Sequence, residues 1–336
     1  MFIAKNFIEL KALFVAKLKS MLSEDELGAF ILVLTNSQQN SFLKNELAAD
    51  VEEVYSKLKE NFSSGKLNVT PDDSDVFKQL LDIDIDKIPL WKKQPIGAWE
   101  LVYNPMRRLR PARAASQILD SIKMPYDDNK FHFNKPFLKP EILWQGVYEK
   151  LNLRVLFNKF PFSDYHLLIA VSPEVNNQQL LTKDAHELIF SLAQNYAVKF
   201  PGFGIGFNSL AAGASVNHLH FQGFIREDDF PIEASCWQHN GGTRDYPLNV
   251  NFFAEIELAW KFIAQLIEQD LAFNCLYRKN GCYVIPRKYQ GTVEIPDWLE
   301  GAGWLDVAGV VTVSDEENYS SIDEQSVMHA LERLCI

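Results

Sequence analysis

His218, His220 and Gln222 alternate in the segment Ser215-Val216-Asn217-His218-Leu219-His220-Phe221-Gln222-Gly223. A strand repeats its side-chain direction every two residues. The three polar groups are therefore expected on one face, with Leu219 and Phe221 on the other. Neutral imidazole attacks phosphorus readily and leaves easily from a phosphoramidate. Its ordinary pKa of about 6.5 keeps much of it neutral near pH 7. A covalent adduct on a ring nitrogen splits one hard displacement into two easier ones. His220, the central member, is the expected nucleophile. His218 would orient the site or hold a phosphate oxygen, and Gln222 would give its amide N–H to a phosphoryl oxygen as charge builds there. Asn208, Ser209, Ser215 and Asn217 add donors, and Gly213 would let backbone approach a phosphate closely.

Two blander alternatives stand beside this one. Paired strand histidines can be surface decoration, or two ligands of a metal. A metal needs a third ligand, and His132, His166 and His239 lie at no diagnostic spacing. Cys236 and His239 have a CxxH spacing without a second pair, so no metal site is expected.

The elements around the motif follow from periodicity. Strands are expected from Leu153 to Phe157 and from Tyr165 to Val171, joined by a hairpin loop through Asn158 and Pro161. Asp184 to Lys199 reads as an amphipathic helix with Leu188, Ile189, Leu192, Ala193 and Tyr196 on one side. Strands from Phe203 to Phe207 and from His218 to Ile225 complete the series. Antiparallel strands with a packed helix make an α+β sheet. The first sixty residues read as helical, and Ser63 to Ser74 as a linker or surface loop. Trp99 to Tyr103 reads as a strand, followed by a basic cluster of Arg107, Arg108, Arg110 and Arg113 that could clamp a diphosphate or face solvent. Phe253, Ile256, Trp260, Ile263 and Ile267 mark a helix, and Cys282–Pro286 and Val307–Val313 read as strands. Trp237, Trp260 and Trp304 are expected to serve packing. The expected organisation is a helical region over residues 1–84, a catalytic half over 85–240 and a degenerate second half over 241–336.

Bulk properties narrow the function. The chain has 336 residues, a formal net charge of −11 and four scattered cysteines. Such a charge argues against a general nucleic-acid or anionic-membrane surface. No secretory signal or membrane span is legible, so a cytoplasmic protein with free thiols is expected.

The pattern Asn208-x6-Ser215-x2-His218-x-His220-x-Gln222 resembles the active-site signature of the galactose-1-phosphate uridylyltransferase and Ap4A phosphorylase branch of the histidine-triad superfamily. The fuller strings Phe207-Asn208-Ser209-Leu210 and Asn217-His218-Leu219-His220-Phe221-Gln222 resemble the GDP-hexose phosphorylases, which act on GDP-L-galactose or GDP-D-glucose. Pro125 to Lys135, Asn158-x2-Pro161 and Tyr165 to Ile169 are similar to further blocks of that family, and the likeness covers residues 95 to 330. It implies a HIT-like antiparallel sheet in two halves. It also implies a ping-pong transfer of a nucleoside monophosphate from a nucleoside diphosphate hexose to phosphate through His220. Gln222 would stabilise the phosphoryl group and the His218 main-chain carbonyl would orient the nucleophilic ring. Asn208 and Ser215 would contact phosphates, with Lys135 and Asn158 as further substrate contacts. No cofactor is required on this reading, Mg²⁺ carried with the nucleotide stays open, and so does a homodimer. Asp164-Tyr165 departs from the glycine usual before the histidine at position 166. Ala211-Ala212-Gly213-Ala214-Ser215 is closer to the Ap4A phosphorylase pattern, so an Ap4A-type dinucleotide is the alternative substrate. A nucleotide-binding regulator without turnover is the alternative in kind.

Overall fold

A computed structural model describes residues 2–24, 26–67, 70–110, 119–299 and 301–336. Arg113 of the basic cluster lies outside them. Four helices come first: α1 (Phe7–Met21), α2 (Leu27–Ser37), α3 (Ser41–Ser63) and α4 (Pro71–Leu81). Strands β1 (Lys92–Ile96), β2 (Trp99–Tyr103), β3 (Ile142–Tyr148), β4 (Leu151–Phe157) and β5 (Leu167–Val171) follow. Then come α5 (Lys183–Ala197), β6 (Phe203–Asn208), β7 (His220–Ile225), β8 (Asn251–Phe253), α6 (Ile256–Glu268), β9 (Ala272–Arg278) and β10 (Gly281–Arg287). The chain closes with α7 (Trp304–Val307), β11 (Val310–Val313), α8 (Glu316–Ser321) and α9 (Glu324–Leu334).

Among the described residues, eight strands form one antiparallel sheet in the order β3-β4-β5-β7-β6-β9-β10-β8. This is the expected α+β, HIT-like arrangement. The run α6-β9-β10 repeats the order α5-β6-β7, and β6 pairs with β9 at the middle of the sheet. Alternation divides the two faces. Val155, Ile169, Ile205, Phe207, Phe221, Cys275 and Tyr277 are buried in one core together with Leu188, Ile189 and Leu192 of α5. The opposite face carries Leu156, Ala170, His220, Gln222, Gly206, Asn208 and Asn274, as the strand registers require.

The helical region shares that first core. Phe2 sits among Trp144, Tyr148, Tyr196 and Phe203, with ring centroids 5.3 to 6.4 Å away. Phe14 of α1 meets Phe157 at 4.8 Å and Tyr165 at 5.2 Å. A fully buried side chain of this size contributes roughly 1.5–3 kcal/mol. The end of α2 also braces the β4–β5 loop. Asn36 Nδ2 donates to the Asn158 carbonyl at 2.9 Å, Thr35 Oγ1 donates to the Lys159 carbonyl, and Tyr165 N–H donates to Gln39 Oε1.

Four local expectations change. The stretch Ser63 to Ser74 is not wholly loop: Thr70 caps α4 by accepting from Asp73 N–H, and Pro71 occupies the first turn, where it loses no hydrogen bond. Phe253 belongs to an edge strand, because α6 starts at Ile256. The segment Val307–Val313 is divided between the end of α7 and β11. That last strand joins no second-half sheet: it runs parallel to β2, which also pairs with β1, so residues from both sides of position 240 form one small three-stranded sheet.

Candidate active site

Strand β7 begins at His220, so the expected alternation holds for His220 and Gln222 but stops short of His218. His218 is fully buried, and both its ring nitrogens are engaged. Nδ1 accepts the Phe133 N–H at 3.1 Å, and Nε2 lies 3.1 Å from the Pro173 carbonyl, to which it donates. Burial holds its pKa down, to about 4. The ring is therefore closed to a phosphate oxygen and to a metal, which corrects two of the roles considered for it. Its main-chain carbonyl lies 2.8 Å from His220 Nδ1.

That contact sets the chemistry of His220. Nδ1 faces two oxygens, the His218 carbonyl and Gln179 Oε1 at 2.9 Å, so Nδ1 carries the proton and donates. A neutral ring with its proton on Nδ1 has its lone pair on Nε2. Burial lowers the pKa of His220 to about 4, against a smaller upward pull from the carbonyl, and the ring stays neutral at pH 7. The side chain retains 5% exposure, and the Phe133 ring lies against it at 4.9 Å.

Gln179 had no signal beyond the polar run Asn176-Asn177-Gln178-Gln179. One fully buried amide ties both strands of the site. Its oxygen takes the His220 N–H and Nδ1–H, and its nitrogen donates to the carbonyls of Asn208 at 2.9 Å and His220 at 3.0 Å. Asn217 holds the loop that carries it: Asn217 Oδ1 accepts the Gln179 N–H at 2.8 Å, and its amide nitrogen donates to the carbonyls of Met124 and Pro125. That is a scaffolding place rather than the expected substrate contact.

Gln222 lies on the same face, with its Oε1 2.7 Å from Trp304 Nε1. Asn208 Oδ1 accepts from the Trp304 N–H and from Asn274 Nδ2, both at 2.7 Å. Trp304 and Asn274 thus join the site from beyond residue 240, and Trp304 does more than the packing expected of it. Space for the indole comes from β6, because a Cβ on Gly206 would stand 2.2 Å from Trp304 Cδ2.

The remaining expected contacts are spread out. Ser209 is buried, its hydroxyl donating to the Leu210 carbonyl and accepting from Phe273 N–H, so it closes β6 onto β9. Gly213 has φ +96°, and a Cβ there would stand 2.9 Å from Gly303 Cα. Its close approach is to the 301–303 backbone, not the expected phosphate. Ser215 is exposed on the approach loop. Lys135 Nζ donates to the Asp128 carbonyl at 3.0 Å, two residues from Phe133. Asn158 Nδ2 lies 3.3 Å from Nε2 of the fully buried His166, and Phe160 N–H donates to Asn158 Oδ1. Of the arginines, Arg107 stacks on Phe162 and donates to the Phe160 carbonyl, while Arg108 and Arg110 are exposed. Among the described residues no group of three His, Cys, Asp or Glu could hold a metal, and no helix is long and apolar enough to cross a membrane.

Residues 97–224, which include the HxHxQ strand, match the family described as GDPGP1-like, N-terminal domain. GDP-D-glucose phosphorylase 1 of Danio rerio is 35% identical over 184 residues, 51% of this chain and 52% of the relative. The chain is similar to the GDP-hexose phosphorylases over about half of its length. The Xenopus laevis relative of the same name is 41% identical over 81 residues, 24% of this chain and 20% of the relative. GDP-L-galactose phosphorylase 2 of Arabidopsis thaliana is 30% identical over 134 residues, 34% of this chain and 30% of the relative. These matches span about half the length of the curated relatives or less. In fold the chain is similar to yeast Ap4A phosphorylase Apa2, with TM-score 0.52 at 14% identity over 80% of this chain and 95% of that one. The complex of that enzyme with Ap4A gives TM-score 0.51 at 16% identity, over 73% and 88%.

Proposed function

We propose that this chain cleaves a GDP-hexose with phosphate through a nucleotidyl adduct on His220. The observation that carries the reading is the Nδ1–H of His220 held by the His218 carbonyl at 2.8 Å, which leaves the Nε2 lone pair for attack. In the first step Nε2 bonds to the α-phosphorus, the bond from that phosphorus to the bridging oxygen breaks, and hexose 1-phosphate leaves. In the second, a phosphate oxygen attacks the same phosphorus, the P–N bond breaks, and GDP departs with the ring neutral again. The amide N–H of Gln222 meets the nonbridging oxygens as they gain charge. Asn208 and Ser215 are the expected phosphate contacts, and no step runs through a metal. The relatives named for GDP-D-glucose and GDP-L-galactose favour a GDP-hexose over a dinucleotide.

A panel of nucleoside diphosphate hexoses and Ap4A, each supplied with phosphate, tests this. GDP-hexose is expected to turn over fastest and, without phosphate, to leave an acid-labile guanylyl group on the protein. His220→Ala should lose both adduct and turnover while keeping the wild-type far-UV spectrum. Undiminished turnover in that variant would remove the mechanism. Faster phosphorolysis of Ap4A would replace the substrate.

A further inference from the structure

A glutamine amide has two nearly isosteric ends, and only one of them can donate. If Gln222 is to stabilise a phosphoryl oxygen, something must decide which end faces it. Trp304 Nε1–H can only donate, and it lies 2.7 Å from Gln222 Oε1. That bond therefore falls on the amide oxygen. The amide nitrogen is left to point away from the indole.

Resting on the reaction proposed above, we infer that Trp304 is a positioning residue that holds Gln222 as a donor toward the phosphoryl group. The indole is itself fixed. It stacks on Phe224 with centroids 4.7 Å apart and planes 14° from parallel, and its main-chain N–H is bonded to Asn208 Oδ1 at 2.7 Å. Its loop is pinned by Gly303 N–H donating to Asp306 Oδ2 at 2.8 Å, and by Arg287 Nη1 donating to the Ala302 carbonyl. One residue near the end of the chain thus orients two amides of the HxHxQ site. The indole does not touch the reacting atoms; it acts through Gln222.

Trp304→Phe keeps the stack on Phe224 and removes the N–H. Its kcat for GDP-hexose phosphorolysis is expected to fall tenfold or more, with KM changed less than threefold. In a Gln222→Ala background the same change should cost less than twofold further, because the clamp then has nothing to orient. A merely structural indole would give additive losses. Should Trp304→Phe fold poorly, β-(3-benzothienyl)alanine at position 304 removes the N–H with almost no change of shape. Independently of any substrate, the ¹⁵N indole resonance of Trp304 should shift in Gln222→Ala as its acceptor is lost. Additive losses, a kcat within twofold of wild type, or an unmoved indole resonance would each overturn the clamp. A wild-type protein inert toward the whole nucleotide panel would instead overturn the reaction, with the resonance still reading the hydrogen bond.

Discussion

His220 sits at the start of its strand with one ring nitrogen spoken for, and the reactivity proposed for it follows from that single constraint. The acid limb of its pH profile should follow too. Measured as kcat/KM for the nucleotide sugar, the rate reports protonation of the free enzyme, and the diphosphate does not titrate in this range. With the His220 pKa lowered to about 4 by burial, activity should hold from pH 7 to about pH 5 and fall below that. A limb centred near 6.5 would mean that the ring is solvated, contrary to its 5% exposure. Gln179 is the second residue to test. Gln179→Met keeps the volume but removes the acceptor of the His220 N–H and the donor to two carbonyls. Loss of alignment of this kind costs on the order of 10²-fold in rate, so a kcat ten- to a hundredfold down is expected. A kcat within twofold of wild type would show that the His218 carbonyl alone suffices. HxHxQ made the proposed nucleophile legible because alternation is a local property. Gln179 was not legible, since nothing local marks a glutamine whose partners lie 29 and 41 positions away.

Strand β6 illustrates how an element makes room for a site. Gly204 and Gly206 face the site side, where Phe224 and Trp304 lie flat on the sheet. Gly206→Ala would drive a methyl to within 2.2 Å of the indole. Overpacking typically costs about 1–3 kcal/mol, and the indole must leave its hydrogen bond to Gln222 to relieve it. Denaturant midpoint and kcat should therefore fall together. Loss of stability with unaltered kcat would separate the indole from the chemistry. The N-terminal helices act at the same scale. Their sequence suggests no chemistry, yet Thr35 and Asn36 of α2, with Gln39 just beyond it, hold the loop between β4 and β5. The first sixty residues read as helical, and the periodic run Val51 to Phe62 lies in α3, but the breaks between α1, α2 and α3 were not legible. The start of α4 was hidden in a breaker-rich stretch, where Thr70-Pro71 is a helix-start signal as well as a turn signal.

At the scale of the molecule, burial of neutral histidines links folding to pH. His166, His186, His218 and His220 have pKa values lowered to about 3, 4, 4 and 4, chiefly by burial. Unfolded, each titrates near 6.5. Above that value both states are neutral and stability is fully present. As pH falls below it, the unfolded chain takes up protons that the folded one refuses, so stability declines until the folded pKa is reached. The slope is about 1.4 kcal/mol per pH unit for each histidine fully protonated only in the unfolded state. Urea midpoints should fall steeply from pH 6.5 to pH 4. A flat profile over that window would mean that these rings gain protons without unfolding.

Taken alone, the order of residues determined the α+β class and the HIT-like strand series, and it marked the two groups proposed to do the chemistry, His220 and Gln222. Each of these depends on a period of two or 3.6 and on short spacings, which a chain displays before it folds. Tertiary structure decided the rest: that His218 contributes its carbonyl and not its ring, that Gln179 ties the two strands, and that Trp304 from beyond β10 faces Gln222. Such partners meet only when the sheet has closed and its glycines have let an indole lie against it. A hydrogen bond spanning 82 positions leaves no mark at either end of the sequence.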